Sequence, residues 1–219
     1  MRLSNTEENY LKAIFKLSAD QPHVSTNAIA AELVTSAASV TDMIKKLSEK
    51  KLVLYEKYRG VGLSKSGRKI AVDLIRKHRL WEYFLVETLG FDWVEVHDIA
   101  EQMEHIHSPE LTNRLNRFLG QPTYDPHGDP IPDEQGNFAE RSNLLLKDAK
   151  VGDKVRVVGI KDSNNKFLQY LNKISISLGS RIEVLEYYEF DNSLSVKIND
   201  EVTLSISNMV TGNLYVEEI

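Results

Sequence analysis

The chain has 219 residues, no cysteine and a formal net charge of −5. That length suits one or two domains with a real apolar core, and the missing thiol excludes a disulfide scaffold, a Cys-based zinc finger and a thiol nucleophile. No apolar run nears the ~18 residues of a membrane span, and Met1–Glu7 lacks the apolar stretch of a signal peptide. The expected setting is therefore cytoplasmic, with no membrane partner.

The charge is uneven. Residues 1–75 hold 12 basic against 8 acidic side chains, a surplus of +4, which leaves −9 for the rest. A basic head on an acidic body suits a polyanion-binding module joined to something else.

Taken in order, Asn5 to Ala19 reads as a helix with Tyr10, Leu11, Ile14, Phe15 and Leu17 on its apolar face, and Pro22 ends the following turn. Ser25 or Thr26 can cap a short helix, Asn27–Leu33. After a tight turn at Val34-Thr35, a capped helix runs from about Ser36 to Lys51. Two strand-like runs around Arg59-Gly60 then predict a hairpin over Leu52–Leu63. Three helices and a hairpin make a winged helix-turn-helix, over residues 1–75.

Helices are expected from Ser66 to Leu89, from about Asp92 to His107, and from Ser108-Pro109 to Gly120. Residues 121–137 hold four prolines and two glycines and read as an unpacked linker. Beyond Leu144 come short β runs at Lys154–Val158, Arg181–Tyr187, Leu194–Ile198, Val202–Ile206 and Leu214–Glu217. The fold class is thus mainly α with β: a winged helix-turn-helix over 1–75, a helical domain over 76–140 and a small β-barrel over 144–219.

The chemistry gathers on the middle helices. At ~100° per residue, His97, Glu101, Glu104 and His105 share one sector and Val96, Ile99, Ala100, Met103 and Ile106 the opposite one. His78 and Glu82, four apart, share a face of the preceding helix. Clustered carboxylates repel one another unless a cation compensates, and neutral imidazoles add donor nitrogen but no charge. A divalent metal satisfies the whole set, and oxygen and nitrogen donors without thiolate suit Mn²⁺, Fe²⁺ or Co²⁺, with Zn²⁺ left open.

The order of winged helix, Arg76-Lys77-His78-Arg79-Leu80-Trp81-Glu82 and Val96-His97-Asp98-Ile99-Ala100-Glu101-Gln102-Met103-Glu104-His105 resembles the diphtheria toxin repressor family of metal-dependent transcriptional regulators. Thr6-Glu7-Glu8-Asn9-Tyr10-Leu11 and Gly128-Asp129-Pro130-Ile131-Pro132 extend the resemblance. The tail resembles the SH3-like, FeoA-type module of many members. The resemblance implies His78, Glu82 and His97 as ligands of one metal position, and Glu101, Glu104 and His105 as ligands of its neighbour. Glu101 stands where iron-responsive members carry Cys and manganese-responsive members Glu, so Mn(II) is favoured, with Fe(II) second. Asn9 stands where the family has Met or Asp and would offer a neutral oxygen. Lys12 replaces a manganese-type Glu. Asp162 is the anionic candidate in the SH3-like tail.

For DNA, the resemblance places the helix from Ser36 in the major groove. Ser36 and Ser39 would meet base edges or phosphates, Ala38 and Asp42 base edges, and Lys45 and Lys46 would follow. Thr26 and Asn27 would meet phosphate, and Tyr58 and Arg59 would tip the wing. The implied function is a homodimeric, metal-dependent repressor of metal-uptake genes bound to double-stranded operator DNA, with no catalytic residue and no organic substrate. Two alternatives use the same residues: a winged-helix regulator sensing another ligand, and a di-metal carboxylate enzyme. The enzyme reading wants Glu-x-x-His on two helices, whereas Gln102 stands three residues before His105 and no second copy exists.

Overall fold

The computed structural model describes residues 3–18, 23–56 and 59–219. Ala19, Pro22 and Tyr58, all named above, lie outside them. The chain divides into two units: 1–78 with 102–109 and 132–137, and 79–101 with 110–131 and 138–219.

In the first unit, α1 (Asn5–Leu17) starts at Ser4, whose hydroxyl accepts from the Glu7 amide (3.3 Å) while the Glu7 carboxylate accepts from the Ser4 amide (2.9 Å). This reciprocal pair satisfies two amides that the helix start leaves open. α2 (Thr26–Glu32) is capped by Ser25 and α3 (Ala37–Glu49) by Ser36. Val34, in the turn between them, sits in the left-handed region at φ 48° and is 93% exposed. β1 (Val53–Glu56) pairs antiparallel with β2 (Gly60–Leu63), and Val24 bridges to Val61. Gly60, at φ 110°, permits that bridge, because a Cβ there would lie 2.5 Å from the Val24 carbonyl oxygen. Leu11, Ile14, Ile29, Val40, Ile44 and Leu47 close the core beneath the helices. The expected winged helix-turn-helix is present.

α4 (Lys65–Glu87) and α5 (Val96–Met103) each pass from one unit to the other along the chain. α5 is shorter than the expected Asp92–His107: Glu104 and His105 lie in a turn beyond its end. Pro109 opens α6 (Pro109–Phe118), and the residue before a proline is driven from helical geometry, so the chain must leave the helix ahead of it.

In the second unit, β3 (Lys154–Ile160), β4 (Arg181–Tyr188), β5 (Ser193–Ile198), β6 (Val202–Ile206) and β7 (Leu214–Glu218) form an antiparallel sheet in the order β6-β5-β4-β3-β7. The module is SH3-like, but the barrel is not closed: among the described residues β6 and β7 do not pair. Register shifts at Val157/Gly159 and Val184/Glu186 curve the sheet around Val155, Val157, Val184, Val196 and Val216. α7 (Asn165–Lys173), capped by Asn164, and the short α8 (Asn208–Thr211) were absent from the expected β pattern. α7 adds Leu168 and Leu171 to the core.

The segment expected to be an unpacked linker is packed. Asp125, His127 and Ile131 are buried. Gly128, at φ 82°, lies so close to β3 that a Cβ would come within 2.2 Å of the Val158 carbonyl oxygen. The glycine read as a sign of looseness serves close backbone approach instead. Among the described residues no helix is long and apolar enough to cross a membrane.

Candidate metal centre and nucleic-acid interface

Two clusters of donor side chains stand out, one in each unit. In the second unit, one oxygen or nitrogen from each of Glu82, Asp125 and His127 lies within 4.8 Å of the others, and all three residues are buried. Glu82 comes from α4; Asp125 and His127 come from the turn that Gly128 presses onto β3. The Asp125 carboxylate accepts the amides of His127 (2.8 Å) and Asp129 (3.0 Å), which shapes the turn. Its other oxygen lies 3.4 Å from Arg79, whose guanidinium also donates to the Pro130 carbonyl (2.5 Å).

His127 Nε2 lies 2.9 Å from the Trp93 carbonyl oxygen. A carbonyl only accepts, so Nε2 carries the proton and Nδ1, 3.8 Å from Glu82, is the nitrogen available to a cation. Burial and the repulsion of Glu82 and Asp129 push the Asp125 carboxyl up to about 7, against the pull of Arg79 and His127. Burial disfavours the His127 imidazolium, but the hydrogen bond and charge of Glu82 outweigh it and raise the group to about 9. Two buried carboxylates and an imidazole that keeps a proton for want of another cation form a donor set that a divalent metal fits. His97 approaches Glu82 (3.2 Å) and Glu101 (3.8 Å) from α5.

In the first unit, Glu8 of α1 accepts from His105 Nδ1 (2.6 Å) and lies 3.7 Å from His107. Glu104, fully buried, accepts from Lys12 through both oxygens (2.6 and 2.8 Å) and lies 2.6 Å from His78 Nδ1. Asn9 Oδ1 is buried without a hydrogen-bond partner, an acceptor that a cation would satisfy.

The structure thus gathers the expected residues as His78, Glu104 and His105 in one cluster and Glu82, His97 and Glu101 in the other. Glu8, Asp125 and His127 were missed. Glu8 passes in sequence for a first-turn helix acid, and Asp125 and His127 sit among prolines and glycines that suggest a solvated loop. Asp162 is exposed and accepts from the Asn164 amide (2.9 Å), shaping the start of α7.

On the nucleic-acid side, Ala38, Ser39, Asp42, Lys45 and Lys46 are exposed along α3. The Ser36 hydroxyl is engaged as the cap, accepting from the Ser39 amide (3.1 Å). Lys45 lies 3.5 Å from Asp42, and Arg59 donates to Glu56 (3.1 Å). Lys46 turns inward to Glu7 (3.2 Å), which also accepts from Lys50 (2.5 Å). Asn27 is exposed and Thr26 half-buried at the start of α2, while Tyr58 lies outside the described residues. A groove of about 530 Å³ runs beside α3, lined by Thr26, Thr41, Ile44, Lys45, Ser48 and Tyr55 among others.

The diphtheria toxin repressor of Corynebacterium diphtheriae is 31% identical over 197 residues, which cover 84% of this chain and 86% of that one. The chain belongs to the diphtheria toxin repressor family. Family models agree in order: iron dependent repressor, N-terminal DNA binding domain, over residues 2–61; iron dependent repressor, metal binding and dimerisation domain, over 64–133; and the FeoA domain over 144–218. The iron-dependent repressor IdeR of Mycobacterium tuberculosis is 35% identical over 130 residues, 59% of this chain and 56% of its own. Among solved structures, a manganese-dependent transcriptional repressor in complex with manganese is 38% identical at a TM-score of 0.84, covering 97% of this chain and 100% of its own. ScaR with bound Zn²⁺ is 32% identical at 0.78, covering 97% and 99%. The family is one of metal-dependent transcriptional repressors, not of enzymes.

Proposed function

We propose that this family member represses transcription by binding a palindromic operator as a homodimer when Mn(II) occupies the Glu82–Asp125–His127 cluster. The observation that carries the reading is the composition of that cluster: buried carboxylate oxygens and one oriented imidazole nitrogen, with no sulfur. Such donors suit Mn²⁺ better than the softer metals later in the affinity series. Resemblance to manganese-dependent repressors supports the same choice, with Fe(II) the second candidate. His97 and Glu101 are the further donors we assign to this cluster, and Glu101 is the proposed selector of metal. In the first unit, Asn9 and His105 are the assigned donors, joined by Glu8; His78 and Glu104, also expected from the sequence, lie 2.6 Å from each other, with Lys12 on the same carboxylate.

A divalent cation would supply the positive charge that these carboxylates lack. His127 would release its proton, Arg79 would keep Asp125 in place, and the turn around Gly128 would hold both donors against β3. On the DNA side, Ser39, Ala38 and Asp42 are assigned to base edges, with Ser36 as the cap that fixes the helix start. Lys45, Lys46, Arg59, Tyr58, Thr26 and Asn27 are assigned to the backbone. Leu89, Phe91 and Phe118, all exposed in the second unit, support a dimer that covers them. Domain roles follow as DNA binding over 1–75, metal binding and dimerisation over 76–140 and an SH3-like module over 144–219. The setting we assign is the cytoplasm.

Operator binding measured across Mn²⁺, Fe²⁺, Co²⁺ and Zn²⁺, with a chelator as control, tests this. Tight binding with Mn²⁺ that the chelator abolishes is expected. Equal binding with and without metal would overturn the reading.

A further inference from the structure

The first-unit cluster contains a residue whose charged form has no lone pair to give a metal. Lys12 lies one helical turn beyond Glu8 on α1, and its ammonium contacts both oxygens of Glu104 at 2.6 and 2.8 Å. Both side chains are buried: the exposures are 6% for Lys12 and zero for Glu104. His78 Nδ1 takes a further position on Glu104 at 2.6 Å. Three of the roughly four lone-pair positions of this carboxylate are therefore spoken for.

We propose that the Lys12 ammonium is a built-in cation that stands where a divalent metal would otherwise bind Glu104, so that the α1 cluster takes one metal ion fewer than its acids and imidazoles could hold. An imidazole can turn a lone pair toward a metal; an ammonium has none to offer and only repels it. A cation on Glu104 would share a carboxylate with that ammonium in a place where water cannot screen the two charges. The Glu8–His105 pair differs, since its nitrogen partner is a possible ligand, and the unsatisfied Asn9 Oδ1 lies on the same helix. A metal at this cluster would thus draw on Glu8, Asn9 and His105, while Glu104 stays with Lys12 and acts as a fixed internal ion pair. The inference rests on the metal-sensing reading above.

The test counts Mn(II) bound per full-length chain at saturation, by equilibrium dialysis with the paramagnetic resonance signal of free Mn(II) as readout. Lys12→Gln and Lys12→Glu are expected to bind one more Mn(II) per chain than the native protein. Equal counts would overturn the inference. Because removing Lys12 leaves a buried carboxylate uncompensated and can cost the fold, Glu104→Gln in the otherwise native chain gives a second answer. It keeps the shape and an acceptor for Lys12, and its Mn(II) count is expected to match the native one. A count lower by one would show Glu104 to be a metal ligand and overturn the inference. If the native chain and all variants bind no Mn(II), the metal-sensing reading itself falls; if Mn(II) binds and the Lys12 variants gain none, only the role of Lys12 does.

Discussion

The two donor clusters solve the problem of buried negative charge in opposite ways. Around Glu104 the compensation is internal, an ammonium from α1. Around Glu82 and Asp125 it is incomplete: Arg79 reaches one carboxylate at 3.4 Å, and His127 retains a proton well above its ordinary range. A cluster that already balances itself gains little from a metal, whereas one held together by a displaceable proton gains a great deal. A responsive site is recognised by what its charges still lack, more than by how many ligand-type residues it collects.

That contrast can be broken most directly at the ligands. His127→Ala should lower the apparent Mn²⁺ affinity of operator binding by about 100-fold or more, since the site loses its only oriented nitrogen among the three clustered donors. A metal titration showing an unchanged midpoint would move the responsive site elsewhere. Arg79→Ala leaves the ligands intact and frees the Asp125 turn; loss of such a supporting contact should cost about 10-fold in Mn²⁺ affinity, read by calorimetry.

His127, held up to about 9, must lose its proton before Nδ1 can bind a cation. Between pH 7 and 8, above the value to which Asp125 is raised, the Mn²⁺ affinity should therefore rise by up to about tenfold per pH unit for the proton released. A flat profile would mean that the proton is absent or that His127 is not a ligand.

The smallest effect concerns Glu7, a buried acid with permanent partners. Burial works against its ionisation, but hydrogen bonds from Lys50, the Ser4 amide and Lys46 prevail and hold its pKa down to about 2. A folded-state value below the ordinary 4.5 stabilises the native state above pH 4.5, and that contribution fades as pH falls from 4.5 towards 2. Glu7→Gln should cost about 1 kcal/mol at pH 7 through the weakened cap and lysine contacts, and less in acid. Thermal melts at pH 7 and pH 3 measure the difference.

Much of this was legible in the sequence because it is local. Ser4 and Ser36 mark helix starts, Pro109 and Gly120 bracket α6, and the valine-rich runs after residue 150 alternate as strands do. The His78–Glu82 spacing survives as one face of α4. What stayed hidden is long-range. No periodicity could show that Glu8 meets a histidine 97 positions away, or that Lys12 reaches an acid 92 positions along the chain. The wheel that grouped Glu104 and His105 with His97 assumed a helix running on through both, whereas α5 ends at Met103. Proline and glycine at 126–132 suggested slack chain, because the same residues serve loose loops and tightly seated turns.

Glu7 belongs at once to the start of α1 and to the floor beneath α3. Its carboxylate closes the α1 cap and holds Lys46 and Lys50 near the end of α3. Turning either helix about its axis would pull the acid off its lysines and strand a buried charge. α1, which carries Glu8, Asn9 and Lys12, and α3, which carries the exposed serines, are therefore pinned into one piece. A signal arriving on α1 has no slack to take up by sliding α3 beneath it, so it reaches α3, the helix proposed to face DNA, as a displacement or a stiffening of the entire three-helix block.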